Sequence, residues 1–541
     1  MLIDRAQILS IASELPYIHH IEENGGIETD GAIRLFFTIE GEEPLAFDMH
    51  IQWTQSPLRL GNDSPLQFFN KELLAYPHVM EDGHVCLHTP AAVTWEDRIR
   101  TDIEALHQWV EKYYVRKEKD GHYEDLVVEA SYINGKKVQF YYTQMEVPPV
   151  GDYGLVYYTK IASHKPDDTQ IETYIIQGIR NQEDQLINGE WSEDYLHLGS
   201  VIGVYVMLNA SPSIYDKFAM NSYSELTELC TEEQWHYLYV KIYRERKYAP
   251  IFWGYKTPNG KLRWLVTYPT DTQKCIVGRK ITDGKKIMWK PEPTDEKMHN
   301  VDCSDSSYDQ FFGRGRFPDA VVKKRILIMG VGALGSGVAT TLVRCGTKDI
   351  TLCDFDDKHP GNVCRSEYMF QYGLTKKTQE LQTILESISP FVKVTINNGL
   401  ILINQSFSVL KQGFESDLNQ YDIIFDCTID SELMWALDQL DLHAQIVNLS
   451  ISNGANDLVC AFSPNICEFV TYISQNAIDT NDGDMFNPEG CWSPTFKASY
   501  NDVQIMLQYA LRYVVKMLSG EMEKKNFTIR EKDDALQIVR W

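Results

Sequence analysis

Three glycines at GxGxxG spacing, Gly330, Gly332 and Gly335, follow the apolar run RILIM at 325–329. At such a junction the first glycine permits a tight turn, the second lets backbone approach a phosphate, and the third lets a helix pack on a strand. Leu334, Val338, Leu342 and Cys345 then recur at helical spacing, so the turn opens a helix whose N-terminal amides face an anion. The next apolar run, 350–353, leads into Asp354, about 20 residues beyond the glycines, where a carboxylate can take ribose hydroxyls. Thus far a dehydrogenase fits equally well. Asp356, Asn362, Arg365 and, after Gly373, Lys376 separate the two, because two cations and an amide beyond the ribose acid suit a triphosphate better than a nicotinamide.

Two thiols stand in loop-like settings. Cys86 lies in YPHVMEDGHVCLHTPAAVTWEDRI with His84 and His88 beside it and His78 eight residues earlier. Cys491 lies in NPEGCWSPTF (487–496), which Pro488, Gly490 and Pro494 make irregular, ahead of an amphipathic helix expected at 502–519. A thiolate is the nucleophile that forms and exchanges thioesters. Cys345, Cys353, Cys364 and Cys427 lie within or beside regular elements and read as packing.

The elements that must hold these groups divide the chain into three domains, 1–147, 148–308 and 309–541. The first reads α-β-β-β, with a helix at 4–14, strands at 32–39 and 45–51, and a later helix carrying Ile99, Ile103, Leu106, Val110 and Tyr113 on one face. The second is β-rich, with aromatic runs such as YLYVKIY and IFWGYK, and reads as a linker that receives a protein substrate or serves only as a spacer. The third alternates strands and helices: a helix ending at Pro390, a strand at 392–396, and a strand in YDIIFDCTIDS that ends at Asp426. The fold class is therefore α/β and α+β multidomain, closing on a Rossmann-like domain.

Composition bounds the rest. The chain has 541 residues, 43% of them hydrophobic, enough for packed cores. No apolar run reaches the roughly 18 residues of a membrane span, and MLIDRAQILSIASEL lacks the pattern of a signal peptide. Eleven scattered cysteines with no CxxC pair argue against a disulfide framework or a four-thiolate zinc site. A cytoplasmic protein is expected, and a net charge of −25 argues against nucleic-acid binding.

The D-x-D, N, R and G-x-x-K pattern made by Asp354, Asn362, Arg365 and Lys376 resembles the ThiF/MoeB and ubiquitin-activating adenylyltransferases. The resemblance implies that these residues hold ATP while a protein C-terminal carboxylate attacks the α-phosphate, and that the activating domains pair as a homodimer. It also implies an arginine from FFGRGRFPDA, Arg314 or Arg316, on the phosphates, and a magnesium-binding aspartate just after D-C-T. That position here is Ile429, so Asp430, one residue later, is taken as the Mg2+ ligand. Cys491 resembles the crossover-loop cysteine that accepts the acyl group. Residues 1–145 resemble the ubiquitin-conjugating fold: Tyr76, Pro77 and His78 occupy its H-P-N positions, Asp82, Gly83, Val85, Cys86 and Leu87 its D-G-x-I-C-L, and Trp95 follows. His78 replaces the family asparagine and is assigned as an oxyanion donor or base.

The order of domains looks like the fused activating–conjugating enzymes of bacterial anti-phage CBASS and related ubiquitin-like operons. That implies a relay: adenylation, thioester at Cys491, exchange to Cys86, and attack by a target lysine. The activated partner is a cyclic-nucleotide synthase or a ubiquitin-like protein with a free C-terminal carboxylate. Adenylation of a sulfur carrier, and a non-catalytic partner-binding scaffold, are the alternatives.

Overall fold

The computed structural model describes residues 5–23, 33–51, 66–119, 124–161, 171–197, 199–244, 250–269, 272–283, 286–402, 413–476, 485–486, 495–532 and 535–541. Cys491 lies outside them.

The N-terminal domain begins with helix Arg5–Ser13, followed by strands Ile18–Glu23, Ile33–Phe37, Leu45–Ile51 and Leu66–Phe69, paired antiparallel in chain order. Strand Ile33–Phe37 alternates buried Ile33, Leu35 and Phe37 with half-buried neighbours, the period-two pattern of a sheet with one core face. Those side chains meet Ile99, Ile103 and Leu106 of helix Trp95–Trp109. The sheet has one strand more than the α-β-β-β reading, and two of its four lie outside the ranges read from sequence. Ile18–Glu23 is an edge strand whose sequence, IHHIEE, is mostly polar, and Leu66–Phe69 is only four residues long.

The middle domain is a closed barrel. Strands Lys136–Tyr142, Asn300–Asp305, Leu262–Thr267, Ile251–Lys256, Val201–Met207, Tyr153–Lys160 and Ile171–Arg180 pair in that order, and the last pairs parallel with the first. Phe140, Tyr158, Tyr205, Phe252 and Trp264 are buried together as its core. Closure corrects the boundary expected at 147. Strand Lys136–Tyr142 bridges two barrel strands through Val138, Phe140 and Tyr142, so it belongs to the barrel.

The C-terminal domain is an eight-stranded sheet ordered Lys393–Ile396, Asp349–Cys353, Arg325–Met329, Ile423–Asp426, Gln445–Ser452, Asp457–Phe462, Phe527–Lys532 and Ala535–Arg540. The first five run parallel. Helices Ala333–Arg344 and Tyr500–Leu518 pack together on one face, where Gly337 meets Leu507. The chain leaves the glycine strand to one side for Asp349–Cys353 and returns on the other at Ile423–Asp426. The carboxyl ends of Arg325–Met329 and Ile423–Asp426 therefore form a topological switch point, the place where open α/β sheets open a crevice for ligands. Among the described residues no helix is long and apolar enough to cross a membrane.

Candidate active site

The crevice is lined by the glycine turn. Gly330 has φ 76°, and a Cβ there would lie 2.9 Å from Thr428 Cγ2. A Cβ on Gly335 would lie 1.9 Å from the Gly330 carbonyl oxygen, so only glycine allows the helix to start so close to the strand. At Gly332 nothing lies within 4 Å of a Cβ. This residue caps helix Ala333–Arg344 without a side chain, so no capping side chain takes up the first-turn amides, an arrangement that suits a phosphate.

Asp354 is 6% exposed and does more than the sequence suggested. Its Oδ2 accepts from the Val331 amide at 2.9 Å and its Oδ1 from the Asp356 amide at 2.9 Å, so the carboxylate ties the glycine turn to the next loop. Each oxygen keeps a lone pair for a ribose hydroxyl. Asn362 Oδ1 accepts from the His359 amide at 2.8 Å, Arg365 is half-buried, and Lys376 Nζ sits 2.9 Å from Asp357 Oδ1. Beneath this loop Lys358 pairs with Glu380, and both side chains are almost fully buried. Lys358 also donates to the Met369 carbonyl, and Glu380 accepts from the Met369 amide and the Thr375 hydroxyl. This anchor for the loop carrying Asn362, Arg365 and Lys376 was not picked out from sequence, where a lysine and a glutamate 22 residues apart carry no signal of pairing.

Asp426 is fully buried, with Oδ1 accepting from the Thr428 amide and hydroxyl and Oδ2 from Asn448; burial pushes its carboxyl pKa up. Asp430 caps helix Ser431–Asp438, its Oδ1 accepting from the amides of Glu432 (2.9 Å) and Leu433 (3.2 Å). Before it, Ile429 is 65% exposed at φ 57°, a strained conformation for a β-branched residue. Arg316 pairs with Asp319 at 2.6 Å, whereas Arg314 is exposed and has no ion-pair partner among the described residues. Burial raises the pKa values of Cys345 and Cys427, and Cys353 is buried, all consistent with packing, but Cys364 is exposed on the loop beside Arg365.

The second thiol region is a tight turn. His78 has φ 59°, its carbonyl accepts from the Cys86 amide at 2.7 Å, and Val79 bridges Val85. The His78 ring lies 3.1 Å (Nε2) from the Tyr113 hydroxyl and 3.7 Å (Nδ1) from Glu124. After Cys86, Thr89 is held by Arg98, which is itself paired with Asp102 at 3.1 Å, both charges being buried. Cys86 is half-buried; His84 is partly buried, which lowers its pKa, and His88 is exposed. The structure thus joins His78 to Cys86 through the backbone and brings in Tyr113, Glu124, Arg98 and Asp102, which sequence spacing did not reveal.

Residues 310–456 match the model of the ThiF family. The C-terminal part of this chain is a ThiF domain. The chain is 26% identical over 274 residues to the ATP-dependent ubiquitin transferase-like protein Cap2 of Enterobacter hormaechei subsp. hoffmannii, covering 48% of this chain and 44% of that protein. It is 30% identical over 153 residues to ubiquitin-like modifier-activating enzyme 5 of Aedes aegypti, covering 26% of this chain and 38% of the relative. The match spans less than half the length of either relative. Among solved structures, E. coli MccB with ATP is 17% identical over 41% of this chain and 64% of that one, with a TM-score of 0.29, too low to add weight. The ThiF domain contains the whole glycine cradle, from Arg314 to Asp430.

Proposed function

We propose that this chain is an ATP-dependent protein ligase whose ThiF domain adenylates the C-terminal carboxylate of a protein. The observation that carries the reading is the open space at Gly332, at the switch point of the sheet, with Asp354, Arg365 and Lys376 beyond it. ATP fits this donor set: amides and cations for the phosphates, a carboxylate for the ribose. Arg314 is the arginine left available for phosphate. Among the described residues no three metal-binding side chains cluster, yet magnesium on a nucleotide needs only one or two carboxylates. Asp430 is the residue that would hold it, and the ion would screen phosphate charge.

A carboxylate oxygen of the partner attacks the α-phosphorus and pyrophosphate leaves. The Cys491 thiolate attacks the resulting acyl carbon and AMP leaves; the Cys86 thiolate then takes the acyl group and frees Cys491. Finally a target lysine amine attacks, loses its proton to a nearby base, and releases Cys86 as thiolate. His78, whose ring lies 3.1 Å from the Tyr113 hydroxyl, is the residue we assign to accept that proton. The names of the Cap2 and activating-enzyme relatives support an acyl-activating role, and we take the partner to be a cyclic-nucleotide synthase or a ubiquitin-like protein, as the resemblance of the domain order to the CBASS enzymes implies. A homodimer through the ThiF domain completes the proposal.

Intact-mass spectrometry with MgATP and such a partner tests it, using the native chain, Cys491→Ala and Cys86→Ala. A reducible adduct kept in Cys86→Ala and lost in Cys491→Ala supports the relay. An adenylated partner with no adduct on either thiol removes the ligase reading and leaves adenylation, as for a sulfur carrier.

A further inference from the structure

Four consecutive carbonyls at the Cys86 turn are all held. Pro77 accepts from Trp109 Nε1 at 3.0 Å and His78 from the Cys86 amide at 2.7 Å. The two flanking carbonyls, Tyr76 and Val79, both accept from Lys217 Nζ, the second at 2.8 Å. The first two donors belong to the N-terminal domain, but Lys217 comes from the hairpin that pairs Ser213–Ile214 with Phe218–Ala219, 138 residues beyond Val79.

That hairpin is fixed. Its turn residues Tyr215 and Asp216 have φ 54° and 61°, and the Val127 amide donates to the Lys217 carbonyl at 2.7 Å while Ala219 donates back to Val127 at 3.1 Å. The ammonium is partly buried, and burial brings its pKa down to about 8 against the opposing charge of Glu124. A half-desolvated cation is an expensive way to join two domains, since apolar contacts would do so without stripping water from a charge. What the cation does that they cannot is grip two named carbonyls on either side of a residue in the left-handed conformation.

We infer that Lys217 is a positioning residue for the Cys86 thiol: gripping the Tyr76 and Val79 carbonyls, it holds His78 left-handed and so fixes the Cys86 amide. Docking of the barrel domain thereby sets the geometry of the acyl-carrying loop. The inference rests on the reading of Cys86 as the second thioester nucleophile.

Two variants of the full chain, Lys217→Met and Lys217→Arg, test it with two readouts. Methionine keeps the apolar stem and removes the donors; arginine restores donors to both carbonyls. Amide hydrogen exchange of the peptide containing Cys86 should speed up at least about tenfold in Lys217→Met, which loses both hydrogen bonds from a charged group, and return toward native in Lys217→Arg. Single-turnover discharge of the Cys86-linked acyl group to free lysine, normalised to loaded thioester, should fall about tenfold and recover in the same order. ATP–pyrophosphate exchange at the ThiF domain should not change. Unaltered amide exchange in Lys217→Met overturns the clamp, and faster exchange with unaltered discharge overturns the positioning role. Undiminished conjugation by Cys86→Ala sinks the reading of Cys86 itself, and amide exchange then still decides whether Lys217 holds the turn.

Discussion

The glycine cradle of the ThiF domain and the Cys86 turn are both tight turns closed by backbone hydrogen bonds, yet they are built in opposite ways. In the cradle, close approach is possible because atoms are missing: Gly335 has no Cβ to strike the Gly330 carbonyl, and Gly332 leaves a space. In the Cys86 turn the strained residue is His78, and it is held by added donors, Trp109 and Lys217, that reach in from elsewhere. A turn made by omission is written locally in the chain. A turn made by external support depends on domains docking.

The largest test of this contrast is at the glycines. Gly335→Ala should unfold the ThiF domain or cost at least about 3 kcal/mol, because its close contact is backbone and cannot swing aside. Gly332→Ala should leave the melting temperature nearly unchanged while abolishing partner-dependent ATP–pyrophosphate exchange. Retained exchange would mean that phosphate does not approach there.

Next, Arg98→Met should destabilise the N-terminal domain by about 3–5 kcal/mol, since Asp102 would lose its guanidinium partner while staying buried. Urea unfolding followed by tryptophan fluorescence measures this, and Arg98→Met with Asp102→Leu should recover most of the loss. Nucleotide exchange should be unaffected by either; a change would show that the two turns are coupled.

A smaller effect separates capping from metal binding at Asp430. Asp430→Ala should cost about 1 kcal/mol through the lost cap, while Asp430→Asn keeps the cap. If Asp430→Asn also lowers magnesium-dependent exchange, the carboxylate serves the ion; if it does not, the residue is a cap and no more.

The smallest is a pH effect beside Cys86. Burial lowers the pKa of His84, so as pH falls through its ordinary value of about 6.5 the unfolded chain takes up the proton first and stability is lost. His84→Gln should flatten the acid side of the stability profile, and an unchanged profile would assign the dependence to other groups.

Much of the ThiF domain was legible because its signals are short-range. The glycine strand, the helix after it, Asp354 and the strand at Asp426 follow from apolar runs and spacing within a few residues of one another. The barrel was legible only as β-rich. Its closure depends on Lys136–Tyr142 pairing with strands that lie about 30 and 160 residues further on, and alternation along one strand says nothing about its neighbours. Asp430 shows the same limit at a single residue: an acid after D-C-T looks like a metal ligand in one dimension, while the structure adds a helix start that uses one of its oxygens.

By itself the sequence determined where close approach is possible, because a missing Cβ and a strand-to-helix change of period are properties of neighbouring residues. Only the tertiary structure decided which charges are paired and which carbonyls are held. Lys358 with Glu380, Arg98 with Asp102, and Lys217 on Tyr76 and Val79 each join groups whose desolvation must be offset by a partner. That partner is chosen by what the packed domains bring within hydrogen-bond reach.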